Sequence, residues 1–322
     1  LTQEPLPEEI RKAIFDPDIE KHAWNANFEI TCLSQHFEEN LDISQWHDTM
    51  ILAATLGLPR SLADVGEALK LPAEEAKMKE GKELIKYFCQ PCKPTQKNCF
   101  RTRNMPQYNK ERWALFKEYC KRDVETERTI YNKLKGYPIS KIEHDAWVLD
   151  QRINRRGVRV DLPLVEQAIR INKAVTDRLT AEYKAVTGIA NPRSVPQLKK
   201  WLGVKGSLDK EAVAKLLSKE TGDRLRALQL RKQIGKSSIA KYEAAQRYYA
   251  YDGRAHGMFQ FYGANRTGRW AGRGVQLQNL PQNHIDDLEV ARSLVRNGDI
   301  EALETLYGNV PDTLSQLIRT AF

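Results

Sequence analysis

Long apolar runs are missing from this sequence of 322 residues: none approaches membrane-spanning length and no signal-like stretch opens it, so a membrane protein is not expected. Cysteine is scarce. Cys32, Cys89, Cys92, Cys99 and Cys120 form an odd, clustered set that reads as reduced and intracellular. A zinc knuckle built from Cys89-x-x-Cys92 and Cys99 lacks a fourth ligand, because Cys120 falls in a long helical stretch, so zinc is not expected. The histidines (His22, His36, His47, His144, His256 and His284) show neither metal-ligand nor triad spacing, and His47 beside Asp48 reads as structural. Internal repeats and low-complexity tracts are also absent.

The length suits two domains. With 29% charged and 41% hydrophobic residues the composition is ordinary for a globular protein. Basic residues outnumber acidic ones 51 to 42, a net charge of +9 that attracts polyanions but by itself only raises the prior for nucleic acid. The first residue is Leu and the last six read LIRTAF, so the chain is expected to be a fragment of something longer.

Along the chain, HAWNANFEITCLSQHF begins like a buried strand and continues with helical spacing at Phe28, Cys32, Leu33, His36 and Phe37. An apolar helix in DTMILAATLGLP follows, then SLADVGEALKL with Ser61 placed as an N-cap. CQPCKPTQKNCFRTRNMP has no period and reads as an exposed basic loop, and a long amphipathic helix covers residues 110–134. The weakest composition, LKGYPISK, places a domain boundary near 138, giving domains 1–138 and 139–322. Beyond it, helices are predicted over 163–186 and 223–249, with Ser194 and Gln197 at capping-box spacing between them. An extended element follows near Met258–Tyr262.

Tyr119 and Asp123 lie four residues apart, which puts phenol and carboxylate on one helix face; Asn25 and Glu29 have the same spacing. Carboxylates gathered from separate elements can hold divalent ions for phosphodiester cleavage, and a Tyr hydroxyl can orient the attacking water. Each pair alone is commonplace on a helix surface. Their order, Asn-x-x-x-acid, DTM, SLADVGEAL, then Tyr-x-x-x-Asp, resembles the second and third motifs of DnaQ-like 3′–5′ exonuclease domains, above all the proofreading domain of family A DNA polymerases. That resemblance implies Asp123 and Glu29 as metal ligands, Tyr119 as the water-positioning group, and Asn25 in the second motif. The chain departs from the pattern in having Glu29 where Asp is usual. It also lacks an upstream Asp-x-Glu in strand context, for which truncation is the preferred reading.

The most specific segment is RTGRWAGRGVQLQNLP at 266–281, where glycines interleave Arg266, Arg269, Arg273 and Gln278-Asn279. Glycines permit close backbone approach, arginines bind phosphate, and amides reach minor-groove acceptors that every base pair presents. This segment resembles the TGR…LQNIP signature that precedes the palm motifs of family A polymerases, with Thr267, Gly268 and Arg269 matching its start and Leu277, Gln278, Asn279 and Pro281 its end. Trp270, Ala271 and Gly272 depart from it. The resemblance implies contacts to the primer-terminus region from Arg269 and to the duplex minor groove from Gln278 and Asn279. NPRSVPQL and LRKQIGKSSIAKY resemble duplex-contacting and thumb segments, implying Asn191, Ser194, Lys236, Ser237 and Ser238 as further contacts, although a capping role for Ser194 and a solvated face for the lysines remain open.

By that resemblance the chain is a truncated α/β exonuclease-like domain with a mixed sheet, followed by a mostly α thumb and the start of a palm. Expected partners are primer-template DNA, a single-stranded 3′ end and, in the full-length enzyme, deoxynucleoside triphosphates with Mg²⁺ or Mn²⁺. A monomer in the cytoplasm of a bacterial host of phage or prophage type is expected. A non-catalytic DNA-binding module and an RNase D-like nuclease are the alternatives; the latter would not need the TGRW…LQNLP segment.

Overall fold

The computed structural model describes residues 5–72, 75–78, 80–236, 239–264 and 266–322, apart from the side chain of residue 210. The chain forms two compact units. The first comprises the residues up to Arg152 and, from later in the chain, Phe261–Ala271. Its elements run α1 (Glu8–Phe15), β1 (Lys21–Ala23), α2 (Asn27–Phe37), β2 (Trp46–Asp48), α3 (Thr49–Thr55), α4 (Leu62–Ala68), α5 (Gly81–Cys89), α6 (Lys110–Leu134) and α7 (Lys141–Arg156). Among the described residues of this stretch, the mixed sheet expected from the sequence is a two-stranded parallel pair, with Lys21 opposite Trp46 and Ala23 opposite Asp48. The predicted helix over 110–134 is α6, and Asn109 caps it by accepting from the Arg112 N–H. Ser61 stands at the N-cap of α4 as its position suggested, without a side-chain cap bond. Apolar side chains gather in three clusters: Ile30, Trp46, Ile51 and Trp147 in one, Leu52, Val65 and Ile130 in a second, Leu84, Phe116 and Tyr119 in a third. The composition minimum at 134–141 coincides with the turn between α6 and α7, while the unit itself continues to Arg152.

The second unit, Ile153–Gln260 with Gly272–Phe322, is organised around one long helix. Its elements are β3 (Val158–Arg159), α8 (Leu162–Thr187), α9 (Val195–Leu202), α10 (Lys210–Leu217), α11 (Gly222–Ile234), α12 (Ala240–Tyr248) and β4 (Arg254–Ala255). In α8, Leu164, Val165, Ala168, Ile171, Val175, Leu179 and Tyr183 repeat at three- and four-residue steps and are all buried, each large side chain contributing about 1.5–3 kcal/mol. Asp161 caps the start of α8 and Gly188, at φ 70°, ends it. The single helix expected over 223–249 is two helices, α11 and α12. Gly235, which follows α11, has the weakest helix preference of any ordinary residue, and a Lys-Ser-Ser run comes next.

β5 (Phe259–Ala264) and β6 (Arg269–Gly272) pair as a two-stranded sheet, the extended element expected near Met258–Tyr262. α13 (Leu288–Asn297), α14 (Ile300–Tyr307) and α15 (Val310–Leu317) complete the second core, where buried Tyr242 donates its hydroxyl to the Leu314 carbonyl at 2.7 Å.

Candidate functional site

Tyr119 and Asp123 share a face of α6, as their spacing requires. The Tyr119 ring is 5% exposed and lies against Gly81, where a Cβ would stand 2.2 Å from Tyr119 Cε2. Lys77, which no sequence pattern singled out, donates from Nζ to Asp123 Oδ2 at 2.9 Å and sits 5.3 Å from the centre of the Tyr119 ring. Burial and then the Asp123 carboxylate push the Tyr119 phenol above its ordinary pKa, while Lys77 opposes them. The other oxygen, Asp123 Oδ1, is buried without a hydrogen-bond partner.

Glu29 occupies the first turn of α2, and its Oε2 is likewise buried without a partner. Its carboxyl is raised by burial and further by the nearby charge of Glu127. Glu127 is a functional-site neighbour that the sequence reading missed. It follows Asp123 by four residues, so the α6 stripe Tyr119–Asp123–Glu127 could have revealed it. It accepts from Thr49 Oγ1, and burial raises its carboxyl as well.

Asn25 does not share a helix face with Glu29. It sits in the turn ahead of α2 at φ 64°, a left-handed conformation that Asn tolerates. That turn is held by Asp48, whose Oδ1 accepts from the Asn25 N–H at 3.0 Å and the Met50 N–H at 2.9 Å, and whose Oδ2 accepts from the Ala26 N–H at 3.2 Å. Burial pushes the Asp48 carboxyl up to about 6 against these hydrogen bonds. His47, read as structural, stacks on His22 and His144, while the neighbouring Asp48 holds the turn. Among the described residues, no group of three or more His, Cys, Asp or Glu is placed to hold a metal ion.

The Arg-rich segment divides between the units. In the first, Arg266, Thr267, Arg269 and Trp270 are exposed. Gly268 makes the reversal at φ 65°, with the Tyr262 ring 2.9 Å from where a Cβ would be, so no other residue fits there without strain. Arg60 anchors the preceding strand through the Tyr262 carbonyl at 2.9 Å. In the second unit, Arg273, Gln278 and Asn279 are exposed. Gly272 leaves room for the Gln278 amide, which a Cβ would meet at 2.2 Å, and Asn279 Nδ2 donates to Gln276 Oε1 at 3.3 Å.

Of the remaining candidates of the second unit, Asn191, Ser194 and Lys236 have partners within the protein. Asn191 Oδ1 accepts from the Arg193 N–H at 2.9 Å, and Ser194 caps α9 by accepting from the Gln197 N–H at 3.5 Å. Lys236 pairs with Asp312. Arg193 and Lys236 nevertheless line the same cavity of about 550 Å³, together with Pro192, Arg231 and Glu243. Ser237 and Ser238 lie outside the described residues. No helix among the described residues is long and apolar enough to cross a membrane.

No protein-family model matches the chain. The DNA polymerase of Bacillus phage SP02 is 49% identical to it over 322 residues, a match covering 98% of this chain. The chain belongs to the same DNA polymerase family as that phage protein. It spans 49% of this relative's length. In fold, the chain is similar to the polymerase domain of Pol1 from M. smegmatis, solved in complex with DNA primer-template and dNTP. The TM-score is 0.53 at 19% identity, over 90% of this chain and 48% of that one. The likeness shows a polymerase-domain fold for a mostly helical family member.

Proposed function

We propose that this chain is part of a family A DNA polymerase of phage or prophage type, joining a 3′–5′ proofreading exonuclease domain, ending near residue 138, to the thumb and first part of the palm. The observation that carries the reading is the solvent-facing set Arg266, Thr267, Arg269, Arg273, Gln278 and Asn279 on glycine-shaped turns, in a chain half identical to a phage polymerase. Arginines bind phosphate without regard to sequence, and the two amides inspect minor-groove acceptors, as copying any template demands. Arg193 and Lys236, on the walls of one cavity, support a second grip on the duplex backbone from the Asn191–Ser194 turn and the segment after α11.

Asp123 and Glu29 would hold magnesium or manganese in the nuclease site. In support, each keeps one buried oxygen without a partner, and magnesium commonly takes only one or two protein carboxylates, completing its shell with water and phosphate. Bound there, the ion would supply an activated water for phosphodiester cleavage. The protein's own contribution is positional. Asp48 fixes the turn that starts α2, Gly81 seats the Tyr119 ring, and the phenol's raised pKa keeps it a hydrogen-bond donor. One observation favours a second reading, a retired nuclease kept as scaffold: Lys77 already holds Asp123.

Single-stranded DNA degradation by the full-length gene product, with an Asp123→Ala control, decides between them. Magnesium-dependent cleavage abolished by the substitution supports proofreading, and intact DNA binding without cleavage supports the scaffold. The 322 residues, which span 49% of that relative's length, are expected to bind primer-template DNA, and primer extension is assigned to the full-length enzyme. Deoxynucleoside triphosphates are therefore partners of the full-length enzyme, which is taken to work as a monomer in the host cytoplasm.

A further inference from the structure

We propose that the loop between α5 and α6, residues 90–109, is a separate binding site for single-stranded DNA, in which unpaired bases stack on Phe100 and Tyr108 while its basic residues follow the backbone. The loop carries Lys93, Lys97, Arg101 and Arg103 and no acidic residue, and Lys110 opens α6 directly after it. Large apolar side chains stand out from it: Phe100 is 69% exposed, Tyr108 50% and Met105 47%.

It is a built surface. The Cys92 N–H donates to the Thr102 carbonyl at 2.8 Å, the Phe100 N–H to the Thr95 carbonyl at 2.9 Å, and Asn104 Nδ2 to the Tyr87 carbonyl at 3.0 Å. Thr95 and Asn98 cap each other reciprocally around a short 3₁₀ turn, and Cys92 Sγ donates to the Arg101 carbonyl at 3.3 Å. Cys99 and Phe100 both adopt left-handed backbone, at φ 53° and 55°, a conformation costly for non-glycine residues and kept only where the surroundings enforce it. Phe100 stands out from this turn into solvent. Arg101 stacks 4.3 Å from the Tyr108 ring centre, with Nε held by Asn104 Oδ1 at 2.9 Å, covering one side of the ring with a cation.

Exposed aromatic faces interleaved with cations are what sequence-indifferent single-strand binding uses, because every base has a face to stack once it is unpaired. A duplex hides those faces, so the aromatics select single strands where the charges alone would not. The loop leads into α6, on which Asp123 lies thirteen residues beyond Lys110 (123 − 110), about 20 Å along the helix. A strand of a few nucleotides could span that distance. The choice of DNA rests on the proposed function; the site itself needs neither Asp123 nor Glu29.

The test is fluorescence anisotropy of the 322-residue chain with labelled oligo(dT), oligo(rU) and a duplex of equal length, together with quenching of 2-aminopurine placed within oligo(dT). A Phe100→Ala/Tyr108→Ala variant should weaken oligo(dT) binding about tenfold or more, as loss of base stacking predicts. It should abolish most of the quenching, leave duplex affinity within twofold, and keep the thermal midpoint, since both rings are exposed. Phe100→Trp should retain binding and Phe100→Leu should not. Oligo(dT) affinity unchanged in the double variant, an equal loss for duplex, or a clear preference for oligo(rU) would overturn the proposal. Asp123→Ala separates the two readings: if it leaves cleavage by the full-length product unaltered while the loop variant still loses oligo(dT), the nuclease reading fails and the loop stands.

Discussion

Around Tyr119 and Asp123 the groups proposed for catalysis are drawn inward, whereas between Arg266 and Asn279 those proposed to grip DNA are turned out to solvent. In the first region Asp123 and Glu29 each bury an oxygen with no hydrogen-bond partner, Glu29 and Glu127 are both raised by burial, Lys77 pairs with Asp123, and His22 draws the Glu127 carboxyl back down. In the second, every cation and amide of the set is exposed, and of the glycines among them Gly272 is buried against the Gln278 amide. The contrast follows from the work proposed for each. Carboxylates that are to hold a cation gain from a site that water does not satisfy. A grip on a polyanion gains from charges that stay hydrated until the ligand arrives and from a backbone that does not move.

The largest effect that would test this contrast is at Asp123. Asp123→Ala should lower single-strand cleavage by the full-length product by ~10³-fold, as loss of several kcal/mol of metal-assisted stabilisation implies, while leaving primer-template affinity unchanged. Stopped-flow cleavage and anisotropy on one preparation check both halves, and a joint loss would erase the division of labour.

Next comes Asp48, which is structural in this comparison. Asp48→Ala strips acceptors from buried N–H groups of Asn25, Ala26 and Met50 and should destabilise the first unit by about 3 kcal/mol in urea denaturation. Its pH dependence has a defined sign. The folded carboxyl titrates near 6 against an ordinary 3.8, so folding favours the protonated form. The stability so contributed is full below about pH 4 and is lost as pH rises through 6, on the order of 3 kcal/mol for the two-unit difference. Asp48→Asn should flatten the stability–pH profile of the first unit across that window.

Gly81→Ala places a methyl into the Tyr119 ring and should cost about 1–3 kcal/mol by overpacking. Its cleavage defect should exceed its binding defect, since the ring it displaces belongs to the site proposed for the nuclease. The smallest effect is Arg269→Ala: a few-fold weaker primer-template binding and a salt slope reduced by about 0.9, the value of one phosphate contact. Cleavage of short single strands should not change.

Much of this was legible beforehand because it is local. α6 and α8 were readable from apolar periodicity, and the turn residues of 266–281 from their glycines and from resemblance to a known signature. The broken helix after Ile234 was not legible, because Asp223 to Tyr249 keeps an unbroken helical pattern on both sides of Gly235. The basic stretch 89–106 read only as an exposed loop because its order comes from hydrogen bonds between backbone groups and short polar side chains, which leave no period.

The sequence by itself determined the family, the order of its motifs and the helices that carry them, since each is a property of neighbouring residues. Only the tertiary structure decided that Lys77 meets Asp123 across 46 residues, that Glu127 stands near Glu29, and that Asp48 holds the turn at Asn25. These are encounters between separate elements. Their energies come from burial and from the distance between charges, which spacing along the chain does not encode.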